Sequence, residues 1–110
     1  MRISDEPGMG HHVLLNIYDS DVKKLSSFSE FVRFADSILP SCNAQILARS
    51  GHQFDGGFTA LYLLTTSHFS IHTWPEYSSA AVDIFTCGDV QTDKIVAEII
   101  SYFQSGRHSA

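Results

Sequence analysis

Between Ala60 and Gly88 three strand-like runs follow one another with almost no chain to spare. Ala60-Leu61-Tyr62-Leu63-Leu64 is a continuous apolar run of the kind a buried strand carries. Ser67-His68-Phe69-Ser70-Ile71-His72-Thr73-Trp74 comes next, and Phe69, Ile71 and Thr73 favour strand over helix. A turn near Pro75-Glu76-Tyr77-Ser78-Ser79 leads into Ala80-Ala81-Val82-Asp83-Ile84-Phe85-Thr86-Cys87-Gly88. Links this short join antiparallel neighbours, because a parallel crossover needs a dozen residues or more. Hydroxyls, imidazoles, a carboxylate and a thiol are threaded along these runs. Reactive groups on rigid strands are held as catalysis requires.

The remaining chain supplies the rest of a sheet and its cover. His12 to Tyr18 reads as a strand ended by Asp19-Ser20-Asp21. Ser27-Phe28-Ser29-Glu30 is a capping box, with Ser27 accepting from an orphan N–H and Glu30 reaching back. Behind it Phe28, Phe31, Val32, Ala35, Ile38 and Leu39 recur at helical spacing until Pro40 stops the helix. Asn43 to Ala48 reads as a second strand, followed by the loop Ser50 to Gly57, and Phe58 to Thr66 as a third. Thr92 caps a last helix whose buried stripe is Ile95, Val96, Ile99, Tyr102 and Phe103, with Gly106 just past its end. Residues 1–10, with Pro7, Gly8 and Gly10, read as a flexible arm, and the tail from Arg107 to Ala110 as frayed. Some five strands and two amphipathic helices predict an α+β two-layer sandwich: an antiparallel sheet with two α-helices packed on one face.

Size and charge narrow the function. The 110 residues fit a single domain, 1–110, and 44% hydrophobic against 17% charged residues argues for a packed core over disorder. A formal charge of −5, with Lys23-Lys24 as the one adjacent basic pair, speaks against nucleic acid as partner. No apolar run approaches the ~18 residues of a membrane span, so no membrane association is expected. With no signal-peptide h-region, a cytoplasmic location and two unbridged thiols, Cys42 and Cys87, are the expectation.

An ordered set of short matches then points to a family. Gly10-His11-His12, Ile17-Tyr18-Asp19-Ser20-Asp21, Ser67-His68, Ile71-His72-Thr73-Trp74-Pro75-Glu76-Tyr77, Ala80-Ala81-Val82-Asp83 and Phe85-Thr86-Cys87-Gly88 closely resemble the prokaryotic class of S-adenosylmethionine decarboxylases. These are pyruvoyl enzymes that make their own cofactor. The resemblance spans Gly10 to Gly88 and continues loosely through the last helix. It implies self-cleavage between Thr66 and Ser67 and a covalent pyruvoyl group derived from Ser67. The product of that chemistry on S-adenosylmethionine feeds polyamine (spermidine) synthesis. The active form it implies is a homodimer of cleaved α and β chains.

The same resemblance assigns roles residue by residue. The Ser67 hydroxyl attacks the preceding carbonyl, and His72 accepts a proton, as a neutral imidazole can near neutral pH. Thr59 assists with its hydroxyl. Cys87 returns a proton to the substrate carbon after carbon dioxide leaves, the electrons having been held in the carbonyl system. Glu76 holds the ribose hydroxyls, and Phe54 stacks on adenine. Each has a plainer alternative: a strand-end serine, a structural histidine, a small buried cysteine, a solvated turn carboxylate. No metal is expected, since His68 and His72 on a strand lie ~13 Å apart, too far for one zinc.

Departures from the family pattern keep other functions open. Thr66 stands where glutamate is usual, Asn16 and Ser20 replace a glutamate and a cysteine, and the Phe54–Phe58 loop is one residue shorter. The chain ends soon after its last helix, where the family continues into a further strand. A pyruvoyl-dependent arginine or ornithine decarboxylase is one alternative on this scaffold. A non-enzymatic regulatory or binding homologue is another. A hydrolase built on Ser67, His72 and Asp83 is disfavoured by the lack of a Gly-x-Ser-x-Gly elbow.

Overall fold

The computed structural model describes residues 10–110. The arm assigned to residues 1–10 thus lies outside the described residues except for Gly10, which is buried. A Cβ on Gly10 would meet the Thr86 carbonyl oxygen at 2.4 Å.

Among the described residues six strands form one sheet: β1 (His11–Tyr18), β2 (Ile46–Gln53), β3 (Phe58–Leu64), β4 (Ser67–Trp74), β5 (Ser79–Thr86) and β6 (Arg107–Ser109). Their order is β2-β3-β4-β5-β1-β6, and every neighbouring pair is antiparallel. A one-turn helix α1 (Val22–Leu25), α2 (Phe28–Ser41) and α3 (Thr92–Tyr102) complete the fold. The α+β sandwich expected from the pattern is the architecture observed. No helix among the described residues is long and apolar enough to cross a membrane. No disulfide joins the buried Cys42 to Cys87.

Strand periodicity sorts the residues between the two faces. On β4, Ser67, Phe69, Ile71 and Thr73 are buried toward the helices, while His68, Ser70, His72 and Trp74 face the other way. The pairs Phe69↔Ile84 and Ile71↔Val82 keep β5 in the same phase. Phe31 of α2 is wholly buried over this centre. Its ring stacks on Phe69 at 6.1 Å and on Phe103 at 5.8 Å, and tilts onto Phe58 at 5.3 Å. Burying one such side chain stabilises the fold by about 1.5–3 kcal/mol. Among the described residues no helix covers the opposite face, and Leu14, Leu61, Leu63 and Trp74 are exposed there.

Several local expectations change. Ser27 does cap α2, its Oγ accepting from the Glu30 N–H at 3.2 Å, but the Glu30 carboxylate turns to Lys24 at 2.7 Å instead of reaching back. Pro40 does not stop the helix. Asn43 does, by taking a φ of 64° while its N–H bonds the Pro40 carbonyl and the Ala44 N–H bonds the Leu39 carbonyl. That pair of bonds is the Schellman arrangement. The same arrangement closes α3 at Gln104 (φ 50°), with Ser105 N–H to Ile100, so Gly106 is not its terminator. Thr92 is the first helical residue and not the cap, because its hydroxyl is engaged by Thr86 Oγ1 at 2.7 Å.

At the sheet edges the differences are larger. β2 runs from Ile46 to Gln53, well into the segment expected to be a loop, and has a bulge between Ile46 and Ala48. The tail is not frayed: β6 pairs its Arg107 and Ser109 with Tyr18 and Asn16 of β1. Arg107 secures it, with Nε 3.3 Å from Asp19 Oδ2 and the guanidinium over the Tyr18 ring. This short strand occupies the edge at which the further strand was expected to be missing.

One buried hydroxyl ties three elements together. Thr73 Oγ1 accepts from the Phe58 N–H at 2.8 Å and donates to the Leu25 carbonyl at 2.7 Å. Thr73→Val preserves shape but leaves both groups unsatisfied. The expected loss is about 1–3 kcal/mol, read as a lower urea midpoint at unchanged m-value.

Candidate active site

The expected site residues fall into two groups. The first lies where β3 turns into β4. Leu64 pairs with Ser67, so Thr65 and Thr66 make a two-residue turn. Thr66 has a φ of 58°. Its Oγ1 donates back to the Thr65 carbonyl at 2.6 Å. The Thr65 N–H is in turn held by the Gln45 carbonyl at 3.1 Å. Ser67 opens β4 on the helix side, only 6% exposed, and its Oγ accepts from the Cys87 N–H at 3.2 Å. Cys87 follows β5 at intermediate exposure. Ser67 and Cys87 are therefore brought together, beside a peptide in an unusual conformation.

A second group lies at the far end of β4 on the opposite face. Register pairs Thr59 with His72, and Thr59 Oγ1 sits 2.9 Å from His72 Nδ1. These two line a cavity of about 460 Å³ with Phe54, Trp74 and Glu76. Glu76 stands in the 3₁₀ turn Pro75–Tyr77, while Phe54 is 54% exposed and packs edge-on against His52. One wall is the loop at Gly57, where a Cβ would meet the Thr73 carbonyl oxygen at 2.4 Å. Only glycine lets the backbone come that close.

The two groups do not meet within one chain. Ser67 and His72 are five positions apart on one strand, ~16 Å at the usual rise, and an odd spacing puts them on opposite faces. Sequence alone lists both in one motif; strand geometry pulls them apart.

A third constellation escaped the sequence reading. His12 and His68 both lie across from Phe85 on neighbouring strands. His68 stacks on the Phe85 ring at 5.8 Å, and His12 meets it edge-on. Both direct Nε2 toward Asp83 Oδ1, at 2.6 Å for His12 and 3.7 Å for His68. Asp83 is thus engaged by His12, not by His72, so the Ser67/His72/Asp83 triad is absent. The available signal was the shared open-face phase of the three strands, which needs the register to be seen.

Two tyrosines with buried hydroxyls are not candidate bases. Burial, aided by the Asp36 carboxylate, holds the Tyr62 hydroxyl well above the ordinary phenol range. Burial, with the Glu30 and Asp21 carboxylates adding to it, pushes Tyr102 up to about 12. Both keep their protons near neutral pH.

Comparison with known proteins follows the same lines as the geometry. The family model described as S-adenosylmethionine decarboxylase matches residues 11–110. An S-adenosylmethionine decarboxylase proenzyme of Pyrobaculum islandicum is 35% identical over 94 residues, covering 84% of this chain and 75% of that one. The proenzyme of the same name from Prochlorococcus marinus strain MIT 9211 is 40% identical over 104 residues, covering 92% and 84%. Among solved structures, the adenosylmethionine decarboxylase of Aquifex aeolicus VF5 superposes with a TM-score of 0.84 at 29% identity, covering 92% of this chain and 85% of that chain.

Proposed function

The chain belongs to the S-adenosylmethionine decarboxylase family, and on that premise we propose that it cuts itself between Thr66 and Ser67 and decarboxylates S-adenosylmethionine. The observation that carries this reading is the buried Ser67 hydroxyl, held by the Cys87 N–H next to the Thr66 peptide. A second group, Thr59, His72, Glu76 and Phe54, gathers around one cavity. The reaction takes place in one domain, 1–110, in the cytoplasm.

Self-cleavage begins at Ser67. Its Oγ attacks the Thr66 carbonyl carbon, the amide bond to Ser67 nitrogen breaks, and the hydroxyl proton passes to that nitrogen. The Cys87 N–H holds the attacking oxygen in place. Removal of the Ser67 α-proton then expels Thr66 as a carboxylate. Hydrolysis of the remaining dehydroalanine releases ammonia and leaves a pyruvoyl group ahead of His68. A buried serine at a turn, with Cys87 alongside, fits the formation of such a group. When formed, it supplies a carbonyl that takes up the electron pair released with carbon dioxide. The Cys87 thiol then protonates the substrate carbon.

His72 is the base for processing. For its Nε2 to accept a proton, Nδ1–H must donate to Thr59 Oγ1, and the 2.9 Å contact supports that arrangement. Since His72 is ~16 Å along the strand from Ser67, it serves the Ser67 of a second copy. The exposed apolar side chains Leu14, Leu61, Leu63 and Trp74 support a two-fold dimer. Each site then combines Ser67 and Cys87 of one copy with Thr59 and His72 of the other.

Substrate choice rests on the cavity. Glu76 offers two acceptor oxygens to ribose hydroxyls and Phe54 a flat face to adenine, features that arginine or ornithine would not use.

Intact-mass measurement of purified protein should find the fragments 1–66 and 67–110, the latter reactive toward carbonyl reagents, and one uncut chain for Ser67→Ala. Full-length mass under all conditions contradicts self-cleavage.

Co-expression of His72→Ala with Cys87→Ala tests the shared site. Each variant alone should be nearly inactive, whereas random pairing restores about a quarter of the wild-type sites. A co-expressed mixture no more active than its parents contradicts the two-copy arrangement.

Glu76→Gln should lower kcat/KM for S-adenosylmethionine about ten- to a hundred-fold, or roughly 1.5–3 kcal/mol, while sparing cleavage. Carbon dioxide released from arginine or ornithine, and none from S-adenosylmethionine, would overturn the substrate assignment.

A further inference from the structure

We propose that Thr66 is a positioning residue whose strained backbone speeds the cleavage of its own peptide bond. This inference rests on the self-cleavage reading above. Among the described residues, positive φ values occur at Asp19, Asn43, Thr66, Ser78, Gln104 and Gly88. Asp, Asn and Gly are types that tolerate the left-handed region. Thr66, at 58°, is the β-branched exception. A branched Cβ crowds the neighbouring carbonyl oxygen there, which makes such a residue a genuine outlier.

Bonds on both sides hold Thr66 in this conformation. Upstream, the Thr65 N–H is tied to the Gln45 carbonyl. Downstream, Ser67 is locked by its pairing with Leu64 and by the Cys87 N–H on its hydroxyl. The side chain is pinned as well, since its Oγ1 donates to the Thr65 carbonyl at 2.6 Å. Strain of this kind persists only where the surroundings over-determine it. Here it sits on the residue that supplies the scissile carbonyl.

The reaction is what releases it. As the Ser67 Oγ–Thr66 C bond forms and the Thr66 C–Ser67 N bond breaks, the proton moves from oxygen to nitrogen. Thr66 is then joined through the Ser67 side chain and no longer through the β4 backbone. Its φ is free of the strand register, so strain present in the amide is absent from the ester. The same Oγ1 bond to Thr65 keeps the Thr66 hydroxyl away from the reacting atoms, so the effect belongs to the backbone and the branch at Cβ.

The test follows cleavage after cell-free synthesis, by intact mass against time, for wild type, Thr66→Gly, Thr66→Asn and Thr66→Val. Glycine and asparagine accept a positive φ and should cleave about five- to thirty-fold more slowly. Valine keeps the branch, lacks the hydroxyl and should stay within about two-fold of wild type. In an uncleavable Ser67→Ala background, Thr66→Asn should raise Tm, whereas a merely structural role for Thr66 would lower it. Glycine or asparagine variants that cleave as fast as wild type overturn the proposal. So does valine as slow as glycine, or a Tm lowered by asparagine. A wild-type chain that never cleaves removes the parent reading and this one together, and is told apart by the control lane alone.

Discussion

Period-two alternation along β4 is the constraint on which the rest depends. Phe69 and Ile71 must enter the core under Phe31, and this sets the phase of every other residue on the strand. A slip of one residue would turn Ser67 outward and His72 inward. Hydrophobic burial, a force with no chemical specificity, thereby decides which reactive group faces which side. Pairing with β3 and β5 carries the same phase to Thr59 and Asp83.

The strand is rigid at its centre and irregular at both ends. Thr66 at one end and Ser78 beyond the other both have left-handed backbones. The Ser78 carbonyl accepts from the Ser20 N–H at 3.0 Å, which links the β4–β5 turn to the end of β1. Ring stacking of Phe31 with Phe69 and Phe103 clamps the middle under α2 and α3. A clamped strand flanked by turns is a fixed frame with adaptable ends, the usual division between scaffold and loops.

What could be read beforehand follows from where side chains are buried. β3, β4 and β5 alternate or run apolar because one face packs on helices, and the stripes of α2 and α3 are legible for the same reason. β2 is exposed at nearly every position, so no burial pattern marks it, and its bulge breaks what phase there is. β6 is three exposed residues whose pairing depends on β1 and on Arg107 finding Asp19. Helix ends misled where tertiary partners outbid local chemistry: Lys24 took Glu30, and Thr86 took Thr92. The separation of Ser67 from His72 follows from strand geometry alone. The meeting of His12, Asp83 and His68 needs a register that no single stretch encodes.

The two adjacent glycines of the β2–β3 loop have opposite freedoms. Gly57 is pressed against the Thr73 carbonyl and Pro75, whereas nothing lies within 4 Å of the position a Cβ would take on Gly56. One side of the cavity is therefore fixed by backbone contact, and the next residue along is an adjustable wall. Side chains of graded size at Gly56 would narrow the cavity stepwise without disturbing the sheet behind it. Selectivity among bulky ligands can thus be tuned at a single permissive position, while Ser67 and Cys87, anchored at the other end of the strand, stay unaltered.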